Sequence, residues 1–177
     1  MKRRAVFLDR DGVLIRNHVR NGKPYAVTDG EPIDIIAGAK EACGELARAG
    51  YLLIMVTNQP DVATGRTSRR FVEETNSALA RALGLDDVQV CFHDDTAHCD
   101  CRKPKPGMIL AAAAKFDLDL GKSVMIGDRW RDIEAGQRAG CRTVLIDYGY
   151  DDRQPPPSDH VTGSLQAAAQ WLHIVDA

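Results

Sequence analysis

With 177 residues, 44% of them hydrophobic and 27% charged, the chain has the size and balance of a globular domain with its own core, which excludes a disordered polymer. Its 23 basic residues nearly balance 25 acidic ones, and a net charge of −2 excludes a broad attraction to nucleic acid or an anionic membrane, so any anion must be bound by a local cluster. The amino-terminal apolar run ends at a charge after four residues and no run reaches membrane-spanning length, so a cytoplasmic protein without signal peptide or membrane partner is expected.

In chain order, apolar runs suited to buried strands occur at 5–8, 51–56, 88–92, 123–126 and 143–146, each followed by polar or glycine-containing turns. Helical patterns lie between them at 37–49, 68–83, 106–116 and 130–139, with Gly50, Gly84 and Gly140 where a helix carboxyl end favours glycine. This repeated alternation predicts an α/β fold, a doubly wound and mostly parallel sheet whose ligands sit at the carboxyl ends of strands. The proline run within 154–157 predicts an exposed connection, and a last helix near 164–173 is expected to dock on one face. No repeat, low-complexity tract or second domain is visible, so 1–177 is expected to form one domain without a large cap, and a monomer.

The polar residues that follow the strands carry the chemistry. The first strand runs into Asp9-Arg10-Asp11-Gly12, two carboxylates two residues apart that alternation points to one side. Acids that close repel unless a cation lies between them, and magnesium, which prefers oxygen ligands and shares its shell with phosphate, suits the place. The second strand ends in Thr57-Asn58-Gln59, whose hydroxyl, amide and backbone N–H groups suit phosphate oxygens. Arg102, Lys103 and Lys105 then cluster before a helix, where a cation can neutralise a phosphoryl group. A later strand ends in Gly127-Asp128-Arg129, with Asp132 four residues beyond Asp128; Asp128 can complete a magnesium shell, and Asp132 ranks below it, as a holder of metal-bound water or a first-turn acid. Each signal alone also reads as a turn or a solvated face. Together, after four successive strands, they supply a nucleophile, metal ligands and phosphate clamps.

Phe7-Leu-Asp-Arg-Asp-Gly12, Thr57-Asn-Gln59, Arg102-Lys-Pro-Lys-Pro-Gly107 and Gly127-Asp-Arg129 resemble the four motifs of haloacid dehalogenase phosphatases. More narrowly they resemble the heptose 1,7-bisphosphate 7-phosphatases and the related histidinol-phosphate phosphatases, over roughly residues 5 to 150. The resemblance implies a phosphoaspartate mechanism. Asp9 would be nucleophile and magnesium ligand, Asp11 would bind magnesium through its main chain and act as general acid and then base, and Asp128 would complete the shell. Thr57 and Asn58 would hold the phosphoryl group with Arg102 and Lys103 beside it, and Arg10, Gln59 and Arg129 are expected among the substrate-binding residues. The leading expectation that the resemblance implies is removal of the 7-phosphate of a heptose 1,7-bisphosphate, a small sugar phosphate, on the way to nucleotide-activated heptose. Histidinol phosphate is the alternative, kept open by the acids Asp61, Asp94 and Asp95; a polynucleotide 3′-phosphatase or a non-catalytic zinc-loop module is a more distant reading.

Five cysteines are an odd number for a disulfide scaffold, and three of them crowd Cys91-Phe-His93-Asp-Asp-Thr-Ala-His98-Cys99-Asp-Cys101. Cys91, His93, Cys99 and Cys101 make a full tetrahedral zinc set with no open position, so the 91–101 loop is expected to hold a structural zinc, with His98 as rival to His93. Cys101 adjoins Arg102 and Lys103, so zinc binding would fix where both cations point. Heptose bisphosphate phosphatases carry a similar, longer loop. The chain departs from the family pattern at Pro60-Asp61, and the stretch 17–25 reads as a flexible loop over the site.

Overall fold

The computed structural model describes residues 2–175. Six strands, β1 (Arg4–Leu8), β4 (Tyr51–Asn58), β5 (Asp87–Cys91), β6 (Val124–Gly127), β7 (Arg142–Ile146) and β8 (His160–Thr162), form one parallel sheet in the order β5-β4-β1-β6-β7-β8. A two-stranded antiparallel hairpin, β2 (His18–Arg20) and β3 (Lys23–Tyr25), is separate. The helices are α1 (Ala39–Arg48), α2 (Arg69–Leu83), α3 (Gly107–Phe116), α4 (Trp130–Ala139) and α5 (Leu165–Val175).

Alternation along the strands sorts the core into two layers. Val6 and Leu8 of β1, Leu53 and Met55 of β4 and Ile126 of β6 pack beneath α1, α2 and α5, through Leu46, Leu79 and Leu172 among others. Ala5 and Phe7, then Leu52, Ile54 and Val56, face the opposite way towards Met108, Ile109 and Ala112 of α3 and Ala135 of α4. With both faces covered, the inner strands carry continuous apolar runs, 5–8 in β1, 51–56 in β4 and 124–126 in β6, as a parallel sheet requires. Truncating a fully buried residue such as Phe7 costs about 3–5 kcal/mol in comparable cores. Gly84 and Gly140 end α2 and α4 in the left-handed conformation, with φ of 69° and 85°.

The doubly wound reading holds, and so does the last helix, α5, which packs on α1. Two elements differ from expectation. The 17–25 stretch is a hairpin, because Asn21 and Gly22 both take positive φ, 50° and 74°, as the tightest hairpin turn demands. Edge strand β8, three residues beyond the proline run, is too short and too polar to carry a hydrophobic pattern.

The order of the strands locates the site. From β1 the chain winds outwards through β4 and β5, then returns to the other side of β1 for β6, β7 and β8. The connections therefore diverge between β1 and β6, and a crevice opens at their carboxyl ends.

Candidate functional site

Asp9 follows β1 and Asp128 follows β6, on the two lips of that crevice. Oxygens of Asp9, Asp128 and Asp132 lie within 4.8 Å of one another, and all three residues are buried. Gly12 makes the approach possible: its φ is +85°, and a Cβ there would stand 1.9 Å from Asp128 Oδ2. Burial first, then repulsion from Asp132, pushes the Asp9 carboxyl up to about 7, partly offset by Lys103. Burial, then Asp9 and Asp132, raises Asp128 far above the usual carboxylate range. Its Oδ1 is buried and has no donor among the described residues. A hard divalent cation answers that orphaned oxygen and the mutual repulsion together, and the donor set is all oxygen, so these residues fit magnesium.

Asp132 enters the cluster more closely than its ranking in the sequence implied, yet both its oxygens are engaged. Oδ1 accepts from Lys103 Nζ at 2.6 Å and Oδ2 from the Arg129 backbone N–H at 3.1 Å, the latter completing a helix-capping box on α4. Asp11 does not join the cluster. The Arg10 guanidinium grips its two oxygens at 3.0 and 3.2 Å, Gln59 Nε2 donates to it at 2.9 Å, and the Val27 N–H lies 3.5 Å away. Asp9 and Asp11 both face the crevice, but β1 has ended at Leu8, and these partners hold the Asp11 carboxylate apart from the three clustered acids.

Lys103 is 2% exposed and spends all three N–H bonds internally, on Asp132, on Asp9 Oδ1 at 2.9 Å and on the Val56 carbonyl at 2.7 Å. Burial opposes its charge, but Asp132 and Asp9 outweigh burial and hold the ammonium above its ordinary range. Asn58 fixes the lysine's backbone from both sides: its Nδ2 donates to the Lys103 carbonyl at 3.0 Å and its Oδ1 accepts from the Lys103 N–H at 3.1 Å. The peptide to Pro104 is cis.

Beside this lies the sulfur cluster. Ligand atoms of Cys91, His93, Cys99 and Cys101 fall within 4.8 Å of one another. Cys91 Sγ is 3.7 Å from Cys99 Sγ and 3.6 Å from His93 Nδ1, and His93 Nδ1 is 3.3 Å from Cys101 Sγ. Cys101 Sγ stands 3.0 Å from Cys91 Sγ, so the four ligand atoms are gathered as tightly as, or more tightly than, zinc bonds of about 2.0–2.3 Å would set them; three thiols and an imidazole are a donor set that fits zinc, and the group includes His93 rather than His98. The remaining thiols, Cys43 and Cys141, are buried in the core and pushed up to about 12 by that burial, so they stay protonated and inert. Arg102 adjoins the 91–101 loop, donating to Asp95 Oδ1 at 2.9 Å and to the His93 carbonyl at 3.3 Å; Arg131 reaches the same Asp95 oxygen at 3.3 Å.

The crevice opens into a cavity of about 300 Å³. Of the residues foreseen as touching substrate or phosphate, Asp9, Asp11, Asn58, Arg102, Lys103 and Arg129 line it. Arg10, Thr57 and Gln59 do not. They are buried behind the wall, where Arg10 and Gln59 hold the Asp11 carboxylate and Thr57 Oγ1 accepts from Gln59 Nε2. Asn17 and Lys23 lie in the stretch expected over the site, though the sequence did not single them out, and Arg66 and Arg131 were missed as lining residues. Lys23 arrives on the hairpin, Arg66 in the turn begun by Pro60-Asp61, and neither carries a local signal. Asp61, the departure from the family pattern, accepts from Arg66 Nη1 at 3.3 Å and so holds that cation at the rim. Asp94 and Asp95 face elsewhere: Asp94 caps Thr96, and Asp95 binds the two arginines.

A family model described as HAD-hydrolase-like matches residues 100–168. D-glycero-beta-D-manno-heptose-1,7-bisphosphate 7-phosphatase of Vibrio cholerae is 37% identical over 158 residues, 82% of each chain. D-glycero-D-manno-heptose-1,7-bisphosphate 7-phosphatase of Thermosynechococcus vestitus is 33% identical over 97% of this chain and 96% of its own. Among solved structures, D,D-heptose 1,7-bisphosphate phosphatase from B. bronchiseptica, complexed with magnesium and phosphate, superposes with a TM-score of 0.82 at 28% identity, covering 98% of this chain and 99% of that one.

Proposed function

Because the chain belongs to the heptose 1,7-bisphosphate 7-phosphatase family of HAD-like hydrolases, we propose that it removes the 7-phosphate of D-glycero-D-manno-heptose 1,7-bisphosphate through an aspartyl-phosphate on Asp9. The observation that carries the substrate reading is the charge of the cavity wall. Lys23, Arg66, Arg102, Arg129 and Arg131 line it in addition to the buried Lys103, which suits a substrate bearing two phosphates. The same wall disfavours histidinol phosphate, whose ammonium and imidazole need acids: Asp94 and Asp95 lie off the cavity, and Asp61 is paired with Arg66.

In this reading Asp9 and Asp128 would hold magnesium with the main-chain carbonyl of Asp11, and the cation when bound would offset the charge between phosphate and carboxylates. Both donors to Asp9, the Arg10 N–H at 2.8 Å and Lys103 Nζ, reach Oδ1, so Oδ2 is the oxygen available to attack phosphorus. Asp11, aimed by Arg10 and Gln59, protonates the departing sugar oxygen and then takes a proton from the water that opens the acyl phosphate. Lys103 is a fixed charge beside the transferring group, which suits a loose phosphoryl transition state served mainly by positioning. The proposal includes a cytoplasmic monomer with neither nucleic acid nor membrane as partner; the near-neutral net charge supports the former, and no helix among the described residues is long and apolar enough to cross a membrane.

Phosphate release with magnesium from both heptose bisphosphate anomers, histidinol phosphate and a 3′-phosphorylated oligonucleotide tests the substrate. Fast release from a heptose bisphosphate alone is expected, with the β anomer named by several relatives preferred; preference for histidinol phosphate overturns the reading.

Cys91, His93, Cys99 and Cys101 would hold a structural zinc, which supplies folding energy to the loop that carries Arg102. Stripping zinc with a strong chelator is expected to lower kcat/KM about 10–100-fold while far-UV circular dichroism of the sheet and helices is unchanged. Equal activity with metal analysis showing no zinc would break the link between the loop and the phosphate clamp.

A further inference from the structure

Asp128 is gripped at one oxygen only. Its Oδ2 accepts from Tyr150 Oη at 3.0 Å and from Asn17 Nδ2 at 3.2 Å, and Asn17 Nδ2 also reaches Tyr150 Oη at 2.8 Å, closing a triangle of polar atoms. Oδ1 of the same buried carboxylate has no donor among the described residues. Tyr150 belongs to a strap that follows β7 and touches the site at several points. Tyr148 Oη donates to the Gly12 carbonyl at 3.0 Å, the Asp151 N–H to the Gly22 carbonyl of the hairpin at 2.8 Å, and Asp152 accepts from Arg129 Nε at 2.9 Å. The strap therefore grips both lips of the crevice and one flap over it.

A carboxylate held at neither oxygen rotates, and one held at both shares each oxygen between its donors and a cation. Two donors on Oδ2 and none on Oδ1 fix the rotation and leave one oxygen for a cation. We infer that Tyr150, acting with Asn17, is a positioning residue that presents Asp128 Oδ1 to the divalent cation. The inference rests on the magnesium reading above. It adds that the strap, which holds no recognisable motif, sets how tightly the cation binds, as groups hydrogen-bonded to metal ligands generally do.

The test measures binding rather than turnover. Mn2+ serves as the paramagnetic probe and Mg2+ as competitor, on the full, zinc-loaded chain, for the wild type, Tyr150→Phe, Asn17→Ala and Asp128→Asn. Tyr150→Phe removes only the hydroxyl and is expected to weaken Mg2+ about tenfold or more, with the thermal midpoint of the magnesium-free protein unchanged. Wild-type affinity overturns the inference, and so does a loss of affinity matched by a fall in the magnesium-free midpoint, which would make the hydroxyl a structural tie alone. If Tyr150→Phe does not fold, Asn17→Ala carries the same readout. Asp128→Asn separates the two failures: if it binds Mg2+ like the wild type, the magnesium reading falls and the inference with it, whereas lost binding in Asp128→Asn beside intact binding in Tyr150→Phe overturns the inference alone.

Discussion

Lys103→Met is expected to cost about 3–5 kcal/mol of stability in the magnesium-free protein and to lower kcat by at least about 10²–10³-fold. The stability loss follows from what the lysine leaves behind. Its Nζ lies 2.9 Å from Asp9 and 2.6 Å from Asp132, so methionine fills the volume but strands two buried carboxylates that already repel each other. The catalytic loss follows from position, since the buried ammonium beside the proposed nucleophile disappears from a site whose work is to offset phosphoryl charge. The double variant Lys103→Met/Asp132→Asn separates the effects. It removes one of the stranded acids and should recover most of the stability, while activity stays low. Urea unfolding with magnesium chelated reads the first quantity and phosphate release the second. A single variant with an unchanged unfolding midpoint would mean that the acids find another counter-charge and that the lysine is not what holds the crevice together.

The parts of this site that were legible in the sequence are those in which backbone position and chemistry coincide. Asp9, Thr57, Asn58 and Asp128 end apolar strands, so a pattern of period two followed by a polar residue is enough to place them at one sheet edge. The cysteine–histidine cluster was legible for a different reason: four metal-ligating side chains within eleven residues leave little freedom, and only the choice between His93 and His98 needed the fold. Side-chain direction after the strand's end was not legible. Arg10 sits in the middle of a motif, yet its guanidinium turns inward to Asp11, Gln59 and Asn76, and nothing in the spacing distinguishes a clamp on substrate from a clamp on a catalytic acid. Contacts made at long separation were equally invisible. Tyr150 meets Asn17 across 133 positions, and Arg131, in the first turn of α4, meets Asp95 across 36, and no local pattern marks either pairing. Asn21-Gly22 did carry a hairpin signal, but its flanking strands are three residues long and one contains Pro24, so no alternation announced them.

Asp9→Asn is expected to abolish turnover, by at least about 10⁴-fold, and at the same time to flatten the pH dependence of stability of the magnesium-free protein. The first outcome follows from replacing the attacking carboxylate by an amide that cannot form an acyl phosphate. The second follows from the carboxyl's environment. In the folded chain burial and Asp132 push Asp9 up to about 7, whereas an unfolded aspartate ionises near about 4. Between those values the unfolded chain has released a proton that the folded chain keeps, so stability falls as pH rises through the window and levels off above about 7. Asparagine has no proton to release, and its share of that slope disappears. Magnesium should act on the wild type in the same direction, because a cation among Asp9 and Asp128 favours the ionised acids; its stabilising effect should grow as pH rises towards 7 and be much smaller in Asp9→Asn. Thermal midpoints across pH 4–8, with and without magnesium, measure both trends. Residual turnover near the wild-type rate would place the nucleophile elsewhere. A wild-type slope that survives in Asp9→Asn would move the strained proton to Asp128, the other acid that burial holds far above its ordinary range. Either way, the acids that make the crevice unfavourable without a cation are the ones that make it able to bind one.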